Sequence, residues 1–593
     1  MKIEQHIISA TIAAVKELYN QELPESQVSL QDTRPEFDGQ LTIVVFPVVK
    51  LSKKSPEATA NDLGAYLLEH VEEITVFNVI KGFLNLSISE KYWLGLFNEE
   101  LLQPDFGVIA PNGKKVMVEY SSPNTNKPLH LGHVRNNLLG YSVSELLKAN
   151  GAEVYKVNLV NDRGIHICKS MLAWKKWSNG ETPQSAGIKG DHLVGKYYVI
   201  FDKEYKKEID ALKEAGQTED EAKKNAPLIK EAQAMLLAWE QGDAEVKELW
   251  STMNGWVYEG FAVSYKNLGV DFDKYYYESN TYLLGKDTVE EGLAKGVFFK
   301  KEDGSVWIDL TEDGLDQKLV LRADGTSVYI TQDLGTAQMK YDDFQMDDSI
   351  YVVGNEQDYH FKVLFLILAK LGKSWATGLH HLSYGMVDLP DGKMKSREGT
   401  VVDADDLVRE MIETAKQKTE ALGKINDFSE EEKEALYYNI GLGALKYFLL
   451  KVEPKKRLLF DPAESIDFQG NTGPFIQYTH ARIKSLLNKA GFTLKPASLN
   501  GSAASATELD MIMLLAKYPN EIAIAARGYS PASLANYLYE VAKMFNKFYH
   551  EVPPIIKEEN EGLKQLRLNL SAVVANVLKA GMKILGITVP ERM

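Results

Sequence analysis

Two histidines three residues apart, His130 and His133, stand where an apolar run gives way to a helical pattern. Residues 116–120 read as a strand. A polar loop follows, and 132–149 carries an apolar stripe (Leu139, Val143, Leu146, Leu147) at helical spacing. Residues three apart at a helix start project to the same side. The helix N-terminus adds unpaired N–H groups and the positive end of the dipole, and Gly132 leaves backbone bare for a flat ligand. This combination suits the phosphates and base of a nucleotide. Alone, a His-x-x-His pair is more often a surface or metal-ligating pair; the strand–loop–helix setting is what points to a nucleotide.

Four other segments carry chemistry. GKMKSREGT (392–400) follows a strand and a turn, and its cations Lys393, Lys395 and Arg397 can reach a triphosphate and hold pyrophosphate as it leaves. The bland alternative is a solvated basic loop. Tyr329 and Asp333, four apart in SVYITQDLGTA, face one cleft if the segment turns helical after Thr331; otherwise they are a helix cap and a buried ring. NDRGIH (161–166) follows the strand at 154–160, and ligands of open α/β sheets bind at the carboxyl ends of strands, so Asp162 is well placed unless it caps a helix. In VVGNEQDYHF a strand runs into Gly354, which suits a ribose or adenine contact by Gly354, Glu356 and His360.

HLGH resembles the "HIGH" signature of class I aminoacyl-tRNA synthetases, and SSPNTNKPLHLGHVR is similar to the arginine-specific version. The motif region comprises Pro123, Asn124, Thr125, Asn126, Lys127, Pro128, Leu129, His130, Leu131, Gly132 and His133. The resemblance implies that His130 and His133 bind ATP and stabilise its phosphates, with Gly132 under adenine. GKMKSREGT resembles the "KMSKS" loop, with Ser396 where the signature has its second lysine. The family then implies catalytic roles for Lys393 and, as substitute cation, Lys127, and ATP contacts from Lys395, Ser396 and Arg397. It also implies an arginine pocket. A guanidinium wants carboxylates and an aromatic face, here Glu119, Tyr329 and Asp333. Ser122 and Asn124 take the α-amino and carboxylate end, and Asp162 and Gln357 complete the pocket. NDRGIH carries His166 where the family usually has glutamine. The substrates implied are L-arginine, ATP with Mg2+ and tRNA(Arg), with no tightly bound cofactor and no protein metal site.

These residues need a scaffold. Strand, helix, strand between 116 and 160 is a βαβ unit with a parallel sheet. The expected architecture is multidomain α/β: a small α+β domain over 1–110, with strands at 41–48 and 78–88 around a helix at 58–71; a Rossmann-like catalytic domain over 111–402, with a helical insertion at about 190–260 and further strands at 305–310, 327–331, 349–353 and 380–386; and a helical stem and anticodon-binding domain over 403–593. The resemblance assigns the first of these to the tRNA elbow. In the last, 532–548 mixes aromatics with Lys543 and Lys547; Tyr539 and Phe545 read as core, and other rings suit stacking on loop bases.

Composition constrains the rest. The 593 residues carry a formal net charge of −16, which taken alone argues against nucleic acid. From 471 to 593, however, 14 Lys/Arg stand against 9 Asp/Glu, and local charge decides binding. The single Cys168 excludes an internal disulfide and suits a reducing compartment. No apolar run suits a signal peptide or a membrane span. A cytoplasmic monomer that binds neither membrane nor DNA is expected. Two other readings fit parts of the sequence: another class I synthetase or small nucleotidylyltransferase with the same HxGH site, and a non-catalytic RNA-binding paralogue. The first would not need a large basic helical C-terminus, and the second would not need both histidines and Lys393.

Overall fold

The computed structural model describes residues 2–34, 36–389, 402–423, 425–499 and 501–593. Its central sheet has five parallel strands: β1 (Lys115–Glu119), β2 (Glu153–Val160), β3 (Lys274–Tyr277), β4 (Asp348–Gly354) and β5 (Leu379–Tyr384), ordered β5-β4-β1-β2-β3. Strands buried on both faces run almost continuously apolar, and Val116, Met117 and Val118 are buried together in β1. The strand order reverses between β1 and β4, and the crevice beyond the carboxyl ends at such a reversal is where these sheets bind ligands.

Helix α1 (Leu131–Ala149) connects β1 to β2. Two glycines set its position. Gly140 lies against the Tyr120 ring, where a Cβ would come within 2.2 Å. Gly151, at φ +88°, ends the helix where a Cβ would lie 2.3 Å from the Ala110 carbonyl oxygen. The helical insertion opens with α2 (Gly190–Glu214) and runs through a long helix to Leu268, past the expected limit near 260, because its stop signal is Gly269 in the left-handed conformation.

The expected strand at 327–331 is instead the first turn of α3 (Tyr329–Phe344). Its β-branched and aromatic residues have strand propensity, but the Thr331 hydroxyl accepts from the Val328 N–H and caps the helix start. Only Ser327 keeps a β-bridge, to Leu321. The strand expected at 41–48 stops at Val44, since Pro47 sits in the first turn of the helix Phe46–Ser52. The strand expected at 78–88 is a hairpin, Ile74–Ile80 and Phe83–Ile88, turning at Lys81 and Gly82, both at positive φ. These strands join Ser29–Asp32 and Leu41–Val44 in a four-stranded antiparallel sheet.

From α4 (Ala404–Ala421) onward the described chain is helical apart from Leu458–Leu459, which pairs in parallel with Val387–Asp388. The helical half packs on the side of α1 away from the sheet: Tyr141 of α1 faces Gly586, whose carbonyl accepts from the buried Lys446 ammonium at 2.6 Å. Phe545 is core as expected, whereas Tyr539 is only partly buried, edged against Phe475. No helix of the described residues is long and apolar enough to cross a membrane.

Candidate active site

Helix α1 presents its N-terminus at the carboxyl end of β1, at the strand reversal. His130 is the N-cap, and its N–H donates to His133 Nδ1 at 3.2 Å, bringing the two rings 3.9 Å apart. Burial, with Lys127 nearby, pushes His130 down to about 4, and burial beside His130 and Lys127 holds His133 well below the usual histidine range, so both imidazoles are neutral near pH 7. Burial also lowers Lys127. At Gly132 a Cβ would press on the His130 ring at 3.1 Å.

The loop before α1 is bent for this purpose. Ser121 and Ser122 both hold positive φ, a conformation costly for non-glycine residues that persists only where surrounding contacts enforce it. Here the enforcing group is an amide missed by the sequence reading. Asn136 accepts from the Ser121 N–H at 2.5 Å and donates to the Val352 carbonyl of β4 at 2.7 Å and to the Tyr384 hydroxyl of β5. The Ser122 N–H is accepted by Asn158 of β2. Asn124 is exposed on this loop, bridged to Asn161. Thr125 and Asn126 are buried, as is Leu129.

The basic segment with Lys393, Lys395, Ser396 and Arg397 lies outside the described residues. The first described residue after it, Val402, accepts the Leu131 N–H at 2.9 Å, and Ala404 donates to the Leu129 carbonyl at 3.0 Å. An ionic cluster stands beside this junction. Lys189 pairs with Asp191 and Asp405, and His192 with Asp403 and Asp405. Burial pushes Asp405 up, but bonds from His192 and Lys189 outweigh it and hold Asp405 at about 2. Asp191, His192 and Asp405 offer three close ligand atoms, but the Lys189 ammonium already supplies a cation there.

Next to the histidine site lies a group of carboxylates. Tyr329 and Asp333 share one face of α3; Tyr329 is 78% exposed, and Asp333 Oδ2 bonds His360 Nε2 at 2.6 Å. His360, read as an ATP contact, is thus tied to the carboxylate read as an arginine contact. Glu356 and Gln357 are exposed, and the Glu356 carboxylate curls over Gly354. The Glu119 carboxylate pairs with the Lys340 ammonium, and both side chains are buried. Lys340 was missed, although its spacing of seven from Asp333 puts both on one helix face. Asp162 is buried too. Its carboxylate accepts from the Ser279 N–H at 2.8 Å, the Ser279 hydroxyl at 2.7 Å and the Tyr258 hydroxyl at 2.8 Å. Those bonds fix the segment carrying Glu278, a second acid missed in the sequence. Burial pushes Glu278 up to about 7, helped by Asp162 and Asp333 and opposed by Arg163. A half-buried acid near other carboxylates is chemically suited to a cation.

Residues 98–461 match the family described as tRNA synthetases class I (R), catalytic domain, and residues 476–593 match the DALR anticodon binding domain. The chain belongs to the class I arginyl-tRNA synthetase family. Among curated relatives, the arginine–tRNA ligase of Parabacteroides distasonis is 57% identical and that of Bacteroides thetaiotaomicron 56%, each match covering 100% of both chains. Among solved structures, arginyl-tRNA synthetase of Thermus thermophilus matches with a TM-score of 0.80 at 24% identity, over 99% of this chain and 100% of that one. At that identity the likeness bears on the fold, and the α/β catalytic body with a helical C-terminal half is the family's architecture.

Proposed function

We propose that this protein attaches L-arginine to tRNA(Arg) in two steps on the site just described. The arginine carboxylate attacks the α-phosphate of ATP in line; the bond to the β-phosphate breaks, giving arginyl-adenylate and pyrophosphate. A ribose hydroxyl of the terminal tRNA adenosine then attacks the arginyl carbonyl and releases AMP. The reading rests on the juxtaposition, at the strand reversal, of a histidine-bearing helix N-terminus and an acidic pocket. Little side-chain acid–base chemistry is needed; positioning and charge stabilisation supply the acceleration.

In this scheme His130 and His133 act as neutral N–H donors to phosphate oxygens, backed by the N-terminus of α1, with Lys127 and Lys393 supplying cations. Mg2+ enters with ATP, held by phosphates and water. Asp333 and Glu278 take the guanidinium with Tyr329 against it, Asp162 orients Glu278, and Ser122, Asn124 and Gln357 hold the other end of arginine. The basic 476–593 domain takes the anticodon arm and the α+β region before residue 110 the elbow of the tRNA, on a cytoplasmic monomer. ATP–pyrophosphate exchange with each of the twenty amino acids, with and without total tRNA, tests the scheme. Exchange with arginine alone, dependent on tRNA, is the expected result. Exchange with another amino acid would overturn the pocket.

The pocket also predicts a pH dependence. Glu278 binds its proton up to about pH 7 in the free protein, whereas a guanidinium favours the carboxylate. Binding therefore expels the proton. Arginine affinity should rise by up to about tenfold per unit from pH 5 to 7 and level off above. Calorimetry at pH 6 in buffers of different ionisation enthalpy should show close to one proton released. In Glu278→Gln both the slope and the proton should vanish; a slope that survives would assign the titration to another group.

A further inference from the structure

Arg135 sits in the second turn of α1 and is completely buried, yet no carboxylate among the described residues pairs with it. Its guanidinium is spent on backbone. One terminal nitrogen donates to the carbonyls of Gly385 at 2.6 Å and Met386 at 3.3 Å, immediately after β5. The other donates to Pro454 at 3.1 Å and Lys456 at 2.9 Å, in the loop that follows the helix Glu430–Leu450. Nε has no partner. Burial pulls Arg135 down to about 10, which still leaves it charged near pH 7. Burying a cation without a counter-charge is expensive, and an apolar side chain would fill the same space at lower cost. What the guanidinium supplies is geometry, since its planar fork fixes two chain segments relative to the helix that carries it. The junction is tight on its own account: the Gly385 N–H donates to Pro454 at 2.9 Å, and a Cβ on Gly385 would come within 2.7 Å of the Lys456 carbonyl oxygen.

We infer that Arg135 is a positioning residue that locks the histidine-bearing helix to the segment after β5 and to the loop at 454–456, so that His130 and His133 reach ATP in the correct place only when that junction is seated. The inference rests on the proposed nucleotide role of the two histidines. It separates the two substrates, because none of the four carbonyls belongs to the carboxylate pocket that faces arginine.

The test is Arg135→Lys, which keeps the charge but has a single nitrogen that cannot span both pairs of carbonyls. With saturating tRNA, the KM for ATP in pyrophosphate exchange should rise, or kcat fall, by about tenfold, with the KM for arginine within about twofold of the parent and tRNA affinity unchanged. A variant with parental ATP parameters would overturn the inference, as would one in which both substrates suffer equally. If Arg135→Lys does not fold, Gly385→Ala strains the same junction from the other side and should give the same ATP-selective defect; parental ATP kinetics there would overturn the inference. His133→Asn serves as the control. If it leaves exchange intact, the nucleotide-site reading itself has failed. If it abolishes exchange while Arg135→Lys changes nothing, only the coupling role of Arg135 has failed.

Discussion

Asp333→Asn should reduce kcat/KM for arginine in ATP–pyrophosphate exchange by about a thousandfold, while the KM for ATP moves by less than about threefold. Truncating one partner of a desolvated, hydrogen-bonded charge pair costs about 2–5 kcal/mol, and about 1.4 kcal/mol corresponds to each factor of ten. Asp333 belongs at the upper end of that range for two reasons. Its Oδ2 bonds His360 at 2.6 Å, which holds the carboxylate in one orientation before substrate arrives. It also presses on Glu278, so in the proposed pocket the two acids act on the guanidinium together. The asparagine variant keeps the shape and removes the charge. It should therefore lose most of its preference for arginine over citrulline, which replaces the guanidinium with a neutral urea. Arginine use within tenfold of the parent would remove Asp333 from the guanidinium site.

Some of this architecture was legible because local sequence and tertiary role agreed. The βαβ unit around α1 shows a strand, a polar loop, a helix stripe and a glycine stop in the right order, and the structure keeps all four. Elsewhere local propensity lost. The SVYIT segment has strand composition but starts α3, since one threonine hydroxyl caps it. β3 is four residues, KYYY, too short to show alternation, and exists because β2 offers it an edge. Within the candidate site, the residues proposed to face ligands, such as His130, His133 and Asp333, carry a type and spacing that chemistry can read. The residues that hold them do not. Asn136, Arg135 and Lys340 act on carbonyls, a hydroxyl or a carboxylate 200 or more residues away in seven of their contacts, and nothing in their immediate sequence announces the partner. Glu278 is a related case: its acidity is set by burial, by Arg163 and by Asp162 and Asp333, all distant along the chain.

Lys340 carries the other large prediction. Its ammonium and the Glu119 carboxylate are both buried at the end of β1, and the neighbouring carboxylate raises the affinity of Lys340 for its proton in spite of burial. The Tyr351 ring lies 5.2 Å from the ammonium, adding a weak attraction. A pair of this kind contributes little net stability, because desolvation of both ions offsets their attraction. Breaking it is another matter. Lys340→Met leaves a buried carboxylate with no counter-charge, which should cost about 3–5 kcal/mol in urea unfolding. The double variant Glu119→Gln/Lys340→Met removes the stranded charge and should recover most of that loss. The cycle also resolves the role of Glu119 in recognition. If Glu119 only anchors Lys340 and so fixes the face of α3 that bears Asp333, the double variant should be stable and retain arginine activation within about tenfold. If Glu119 reaches the guanidinium itself, the double variant should be equally stable but fail to activate arginine, and saturating arginine should stabilise Lys340→Met more than the parent, since the ligand would supply the missing cation.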